Sequence, residues 1–392
     1  MSRQDVIVVG GGMVGAAAAL GLAKIGLKVA LLEKKPLPTF IPDSDYDIRI
    51  SAISSFSVRL LEKLGAWQAI ESMRVWAYSG LETWEVEGLG TAFNATELGL
   101  DKLGFMVENN VIQLGLWQTL QHYENCTQAV GFTQFSANYQ DRLWTVKLDE
   151  QQQFSAPILL ACDGANSLVR QWSGIGVTSW QYRQHCLLAV VKTDPANAEQ
   201  QRVTWQQFFP SGPRAFLPLA ENNGCVVWYD SPERIKQLKQ LPADKLANEI
   251  HQAFPERLGR VKVVSQGSFP LTRQHAQSYV RQGIVLVGDA AHTINPLAGQ
   301  GVNLGFKDVS ALLDIIEQAV ENGEDFATEI VLKRYEKRRK ADNLLMQTSM
   351  DIFYKAFKTD LLPVKVIRNV ALVVAERATL LKKRALKYAL GL

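Results

Sequence analysis

Cysteine is scarce in this 392-residue chain, and its four copies, Cys126, Cys162, Cys186 and Cys225, lie far apart with no C-x-x-C pair and no histidine at zinc-ligand spacing. That arrangement excludes a disulfide framework and a structural metal site, and it suits a reducing cytoplasm. Histidine is thin too, with five dispersed residues, so no protein-bound metal is expected. A surplus of one charge is also missing, since 42 Lys and Arg face 39 Asp and Glu. The net charge of +3 is too dilute for a polyanion-binding field, which removes nucleic acid as a partner. Only one long uncharged run occurs, from Val6 to Ala23, and its centre carries Gly10, Gly11 and Gly12 with Gly15 and Gly21 beyond. Such a cluster breaks a membrane-spanning helix and has no use in a signal peptide.

What remains is an ordinary globular composition, 47% hydrophobic and 21% charged, in a chain long enough for two domains or one with a large insertion. Val6-Ile7-Val8-Val9 has the β-branched character of a strand buried on both faces, and Met13 to Ile25 reads as an alanine- and leucine-rich helix that Gly26 closes. Lys28 to Leu32 gives a second buried strand, ending at Glu33. Strand, helix and strand in that order build a parallel sheet.

The first turn places Gly10, Gly12 and Gly15 at the three positions of G-x-G-x-x-G. The first permits a tight turn, the second lets backbone approach a pyrophosphate, and the third allows close packing of helix on strand. Phosphate would then rest on the helix N-terminus, and Glu33 stands where a carboxylate accepts from a ribose diol. The motif alone does not separate FAD from NAD.

Two later segments repeat the pattern of an apolar run delivering an aspartate. Ile158 to Cys162 precedes Asp163 and Gly164, and Ile284 to Val287 precedes Gly288-Asp289-Ala290-Ala291-His292-Thr293. Ligands bind at that end of the strands in an α/β sheet. Gly299-Gln300-Gly301 then opens a helix whose amides suit a phosphate or the pyrimidine edge of a flavin.

The three motifs, in this order and spacing, resemble those of the group A flavoprotein monooxygenases with the para-hydroxybenzoate hydroxylase fold. Within that class Arg49 to Ser54, Val107 to Asn110 and Gly288 to Gly301 are similar to the ubiquinone-biosynthesis hydroxylases, and the likeness runs end to end. The implied fold is α/β: a discontinuous Rossmann-like FAD-binding domain (1–70, 101–180, 276–340), an inserted antiparallel β-sheet substrate domain (71–100, 181–275) and a helical C-terminus (341–392). The implied activity is hydroxylation of a polyprenyl benzoquinol ring, that of 2-polyprenyl-3-methyl-6-methoxy-1,4-benzoquinol. NAD(P)H would reduce the flavin and O2 would add to it as a C4a-hydroperoxide that the ring attacks. A different ring of the same pathway, or a non-catalytic flavin- or quinone-binding subunit, are the alternatives. A nicotinamide-dependent dehydrogenase leaves 288–305 unexplained, and the W-x-W-x-I-P segment of flavin-dependent halogenases is absent.

Carried over position by position, the resemblance gives Gly10, Gly12 and Gly15 to the FAD pyrophosphate, Glu33 to the ribose and Arg49 to the phosphate region. Asn109 or Gln113 would touch the cofactor from a neighbouring helix. Gly288 and Asp289 would hold the ribityl chain, while Gly299, Gly301, Val302 and Asn303 lie against the isoalloxazine. Asp163 and Gly164 belong to a motif tied to both FAD and NAD(P)H, although an aspartate there could equally cap the next helix and pair with Arg170. Pro296 would face the reacting ring. His292 is the other catalytic candidate, or else a hydrogen-bonded structural group.

Trp205, Phe208, Phe216, Trp228 and Tyr229 sit on aromatic-rich strands and either line a quinol pocket or fill a core. Lys333 to Lys340 reads as a solvated basic helix face. From Leu361 onward seven basic residues, among them Lys365, Arg368, Arg377 and Lys382, are interleaved with apolar ones against the single acid Glu376. That pattern suits a peripheral contact with the inner face of the cytoplasmic membrane, a partner subunit of a ubiquinone-biosynthesis complex, or simple packing on the chain's own domain.

Overall fold

The computed structural model describes residues 2–149, 152–194, 201–294, 300–359, 361–378, 382–384 and 386. A mixed sheet runs in the spatial order Val280–Arg281, Ile284–Leu286, Ile158–Ala161, Val6–Val9, Val29–Glu33 and Cys126–Val130. Every pairing in it is parallel except the first. All of Val6–Val9 is buried, as a central strand covered on both faces requires. The register sets Val9 beside Leu32 and Ala161, and Ala161 beside Leu286. Gly10, Glu33, Asp163 and Gly288 therefore leave the sheet side by side at its carboxyl edge.

The helix Met13–Lys24 packs against helices Asn109–Leu120 and Gln300–Glu321. Being covered all round, it is apolar all round, and its alanine run Ala16 to Ala19 is wholly buried.

The second large sheet has eight strands, in the order His292–Thr293, Val261–Ala276, Val177–Thr193, Asn223–Asp230, Arg214–Pro218, Val203–Gln207, Gly80–Trp84 and Gly90–Asn94. One face is covered by helices Pro232–Lys239 and Ala243–Ala253, whose Ile235, Leu238, Leu246 and Ile250 join a core with Leu187, Trp205, Phe216, Val226 and Trp228. Val75–Tyr78, expected in this region, instead pairs with Gly104–Glu108, which also takes Ile50–Ser54 on its other side. A fourth small sheet joins Ser2–Arg3 to Gln152–Ala156, Leu143–Leu148 and Phe135–Gln140.

Two further helices, Glu329–Lys358 and Leu362–Arg377, follow Gln300–Glu321. The basic stretch 333–340 is not simply solvated. Arg339 is buried and donates to Asp308 at 2.7 Å, and Glu336 accepts from Ser278 and from the amides of Tyr279 and Val280. Tyr335, Arg339 and Asn343 share the helix face turned toward the sheet, and a buried carboxylate opposite gives a cation reason to sit there. The C-terminal basic pattern is divided in the same way. Arg368 pairs inward with Glu85, and Lys382 with Glu97 and Glu376. Among the described residues no helix is long and apolar enough to cross a membrane.

Candidate functional site

Val14, the second residue of the first helix, lies where the loops meet. A Cβ on Gly305 would lie 2.6 Å from a Val14 methyl, and one on Gly288 3.2 Å away. The glycine turn, the Gly288-Asp289 turn and the helix from Gln300 thus converge on one residue that the sequence reading did not single out.

Space around the glycines discriminates between packing and approach. A Cβ on Gly15 would lie 1.8 Å from the Gly10 carbonyl oxygen, and one on Gly11 2.4 Å from Trp117 Cζ2, whereas one on Gly12 or Gly301 would meet nothing within 4 Å. Gly12 is the N-cap residue of this helix, so its open Cβ position lies beside the helix's first amides. Two helix N-terminal turns with room at Gly12 and Gly301, beside a carboxylate at the end of the adjacent strand, fit a dinucleotide.

Glu33 accepts from the Gly11 amide at 2.6 Å and from the Lys35 amide at 2.9 Å, which fixes its carboxylate at the mouth of the turn. Gln113 and Trp117 both donate to the Gly11 carbonyl, at 2.8 and 2.7 Å. Gln113 therefore braces the turn from behind, with Trp117, which the sequence reading missed, beside it. Asn109 accepts from Ser51 at 2.6 Å, and its amide donates to the Arg49 carbonyl at 2.9 Å. Arg49 itself is exposed, its guanidinium carbon 5.3 Å from the centre of the Phe269 ring.

Asp163 caps the short helix Leu168–Ser173, accepting from the amides of Leu168 and Val169 at 2.8 and 3.3 Å, while its other oxygen is buried without a partner. Burial pushes its carboxyl up, against the pull of Ser167 and nearby amides. Gly164 beside it has φ +81° and open space at its Cβ position. Arg170 makes no direct contact with Asp163 of the expected kind. It donates to the carbonyls of Ala290 and Ala165, at 2.8 and 2.9 Å, and so ties the two aspartate loops together. Asp289 projects into a recess that solvent reaches, yet surrounding protein pushes its carboxyl up while His292 and Arg49 pull it down.

His292 is sealed against Asp308, with its ring 6.0 Å from that of Tyr279. That geometry makes it an anchor of the turn rather than a group that reaches a reacting ring. Asn303 is likewise turned inward. Its oxygen accepts from the Ser54 amide and the Ser57 hydroxyl, at 2.9 and 2.7 Å, and its nitrogen donates to Ala52. Pro296 and Gly299 lie outside the described residues.

The aromatic candidates separate by strand alternation. Trp205, Phe216 and Trp228 point to the helix-covered face of the large sheet and fill a core there, which corrects the expectation that they line a quinol pocket. The opposite face carries Cys186, Leu188, Val227, Tyr229 and Phe269, and it meets Ile48, 3.0 Å from a Cβ built on Gly267, and Arg49. Leu188, Leu217, Val227 and Phe269 are only half-buried in the middle of an eight-stranded sheet. An apolar surface is thus turned toward the side from which Arg49 reaches. Phe208 sits at a corner of this face, stacked on Phe357. A surface recess lined by Lys333, Lys337 and Lys340 includes none of the glycine-turn or aspartate-loop residues.

Glycine turns, a carboxylate at the mouth of the first and an apolar sheet opposite them suit a FAD-binding chain. A family model described as FAD binding domain matches residues 3–347. The chain is 50% identical over 390 residues to the 3-demethoxyubiquinol 3-hydroxylase of Escherichia coli (strain K12), covering 99% of this chain and 98% of that one. It is 31% identical to the mitochondrial ubiquinone biosynthesis monooxygenase COQ6 of Homo sapiens, covering 98% and 92%. It therefore belongs to the FAD-dependent ubiquinone hydroxylase family. The same fold is seen in p-nitrophenol 4-monooxygenase PnpA from Pseudomonas putida DLL-E4, with a TM-score of 0.79 at 18% identity over 100% of this chain and 99% of that one.

Proposed function

We propose that this chain hydroxylates the ring of a polyprenyl benzoquinol, 2-polyprenyl-3-methyl-6-methoxy-1,4-benzoquinol, with NAD(P)H as electron donor and O2 as oxidant. The E. coli relative named for 3-demethoxyubiquinol supports a ring of the ubiquinone series. The observation that carries the reading is the half-buried apolar face of Leu188, Leu217, Val227 and Phe269 opposite the loops that fit FAD. Bound and reduced FAD supplies an oxygen atom, drawn from O2, to an electron-rich ring.

The residues have the work of holding, orienting and drying. Amides at Gly12 and along the first turn of the Gln300 helix receive phosphate and ring system, Glu33 receives the ribose, and Asp289 the ribityl chain. Asp163 and Gly164 border the same recess. The apolar sheet face keeps water from the reaction. A quinol with hydroxyl and methoxy donors is already nucleophilic, so the burial of His292 against Asp308 costs the chemistry nothing.

We place the protein in the cytoplasm at the inner face of the membrane, where a polyprenyl substrate is found, and within reach of a ubiquinone-biosynthesis complex. The test is purified protein given NAD(P)H, O2 and the quinol. Quinol-stimulated NAD(P)H oxidation with one atom of labelled oxygen in the ring is expected. A ring of the same pathway with a different substitution pattern reacting faster reassigns the substrate, and no stimulation by any quinol leaves a non-catalytic subunit.

A further inference from the structure

Between Glu33 and Ile50 the chain forms no helix or strand and runs mostly over the surface. Its far end carries Ile48, which lies 3.0 Å from a Cβ built on Gly267, and Arg49, which reaches over Phe269. Arg49 also faces the aspartate loops, where it helps to pull down the Asp289 carboxyl that burial pushes up. An exposed cation at the junction of these loops and the apolar sheet face suits the negative pyrophosphate of FAD. Apolar packing alone holds the segment weakly, since Leu37, Phe40 and Tyr46 are only partly buried.

Arg74 supplies the fastening. The strand Gly104–Glu108 lies between Ile50–Ser54 and Val75–Tyr78, with Ile50 opposite Glu108 and Val75 opposite Val107. Arg49 and Arg74, each one residue ahead of its strand, therefore arrive on either side of the buried Glu108. Arg74 donates from Nε and Nη2 to the two oxygens of Glu108, at 2.8 and 2.9 Å, and from Nη1 to the Ser44 carbonyl at 2.7 Å. Its guanidinium carbon sits 4.0 Å from the centre of the Tyr46 ring. Glu108 accepts in turn from the Asp47 amide at 2.7 Å, and Asp47 accepts from the Arg49 amide at 2.6 Å. One flat cation and its carboxylate thus grip the segment at 44, 46 and 47, directly ahead of Arg49.

We propose that Arg74 is a positioning residue for FAD binding: its two-pronged pair with Glu108 holds 44–47 in place and so sets Arg49 where it meets the cofactor. The proposal rests on the FAD part of the reading above and is independent of which quinol is oxidised. Lysine at 74 keeps the charge and a bond to Glu108, but a point cation does not serve both carboxylate oxygens, the Ser44 carbonyl and the Tyr46 ring together. Arg74→Lys therefore loosens the segment while leaving Glu108 with a cation.

FAD is titrated by flavin fluorescence into the full chain freed of flavin, as wild type, Arg74→Lys, Arg49→Ala and the double variant. Each single change is expected to weaken binding about tenfold. The double variant is expected to bind within about twofold of Arg49→Ala, because Arg74 acts through Arg49. A merely structural loss would carry through undiminished, so a full further step in the double variant overturns the proposal. Wild-type affinity in either single variant overturns it too. Chymotrypsin reads the segment without FAD or quinol. Cleavage after Phe40 and Tyr46 is expected to quicken about fivefold or more in Arg74→Lys, with cleavage elsewhere unchanged. Unchanged cleavage there, or an equal rise at every site, overturns the positioning role. Failure to oxidise any quinol would sink the functional reading and leave both measurements standing.

Discussion

Nε2 of His292 and Oδ2 of Asp308 lie 2.5 Å apart, both side chains closed to solvent. The same carboxylate accepts from the Gly288 amide at 3.1 Å, from Arg339 at 2.7 Å and from Asn343 at 3.0 Å. One acid thus fastens the Gly288-Asp289 turn to two helices. Burial alone would raise its pKa, but His292, Arg339 and Asn343 together pull it down to about 2. Asp308→Ala takes from the buried Arg339 guanidinium one of its two carboxylate partners, leaving Asp342, and a loss of about 3 kcal/mol in urea unfolding is expected, with Asp308→Asn losing less. Because the folded pKa lies below the unfolded one, this contribution is full above about pH 4 and disappears as pH falls toward about 2. Unfolding curves of Asp308→Asn should lack that component.

Glu33 and Trp117 hold opposite sides of Gly11, through its amide and its carbonyl. Glu33→Ala removes the carboxylate proposed to receive the ribose, and FAD should bind about tenfold or more weakly by fluorescence titration, at about 1.5–3 kcal/mol for hydrogen bonds to a charged group. Gly11→Ala places a methyl 2.4 Å from the Trp117 ring. Its expected loss of FAD is partly recovered by Trp117→Leu, which makes room. Failure of that recovery would show that the glycine is needed for something other than the ring.

His275 faces His292 across paired strands and has no hydrogen-bond partner on either ring nitrogen. Burial, with the field of His292 second and Lys340 and Arg273 behind it, pushes its pKa down to about 4 against a weaker pull from Gln347. An unfolded histidine takes up its proton near pH 6.5, so between there and pH 4 the unfolded chain binds more protons than the folded one. Stability should fall by about 2–3 kcal/mol over that acid window. His275→Phe should flatten the dependence of the urea midpoint on pH between 7 and 5.

Much of the cofactor side of this site is legible in the sequence because it is local. Val6 to Val9 is buried on both faces and so reads as an uninterrupted apolar run, and the glycine spacing records contacts made within a few residues. The substrate side is not local. Trp228 and Val227 are neighbours on one strand, and alternation sends one into the helix-covered core and the other toward the side from which Arg49 reaches. Which face is which depends on helices Pro232–Lys239 and Ala243–Ala253, and aromatic content is no guide to it. Arg339 is similarly opaque, since its neighbours in sequence are solvated cations and its partner, Asp308, lies on another helix.

The C-terminal helix offers the sharpest division between charge and greasiness. Its inner side is fixed by Glu85, which receives Arg368 in a two-pronged pair and Asn369 at 2.6 Å, and by Glu376, which receives the Ala92 amide at 3.0 Å. Its outer side shows Val366, Ile367, Val370 and Val374, between 55% and 69% exposed. A helix held by its cations with its aliphatics outward contacts a membrane chiefly by burying them, and only secondarily through Lys365 and Arg377. The protein should therefore sediment with anionic vesicles, and Val366→Ser with Val370→Ser should weaken partitioning by about tenfold or more, at about 1 kcal/mol for each buried valine. Salt should weaken it less than those substitutions do. Glu85→Ala, which takes from the buried Arg368 its carboxylate partner, is expected to loosen the helix and raise the rate of its cleavage by protease. Equal vesicle binding by the wild type and the double serine variant would mean that the aliphatic face is covered by protein instead.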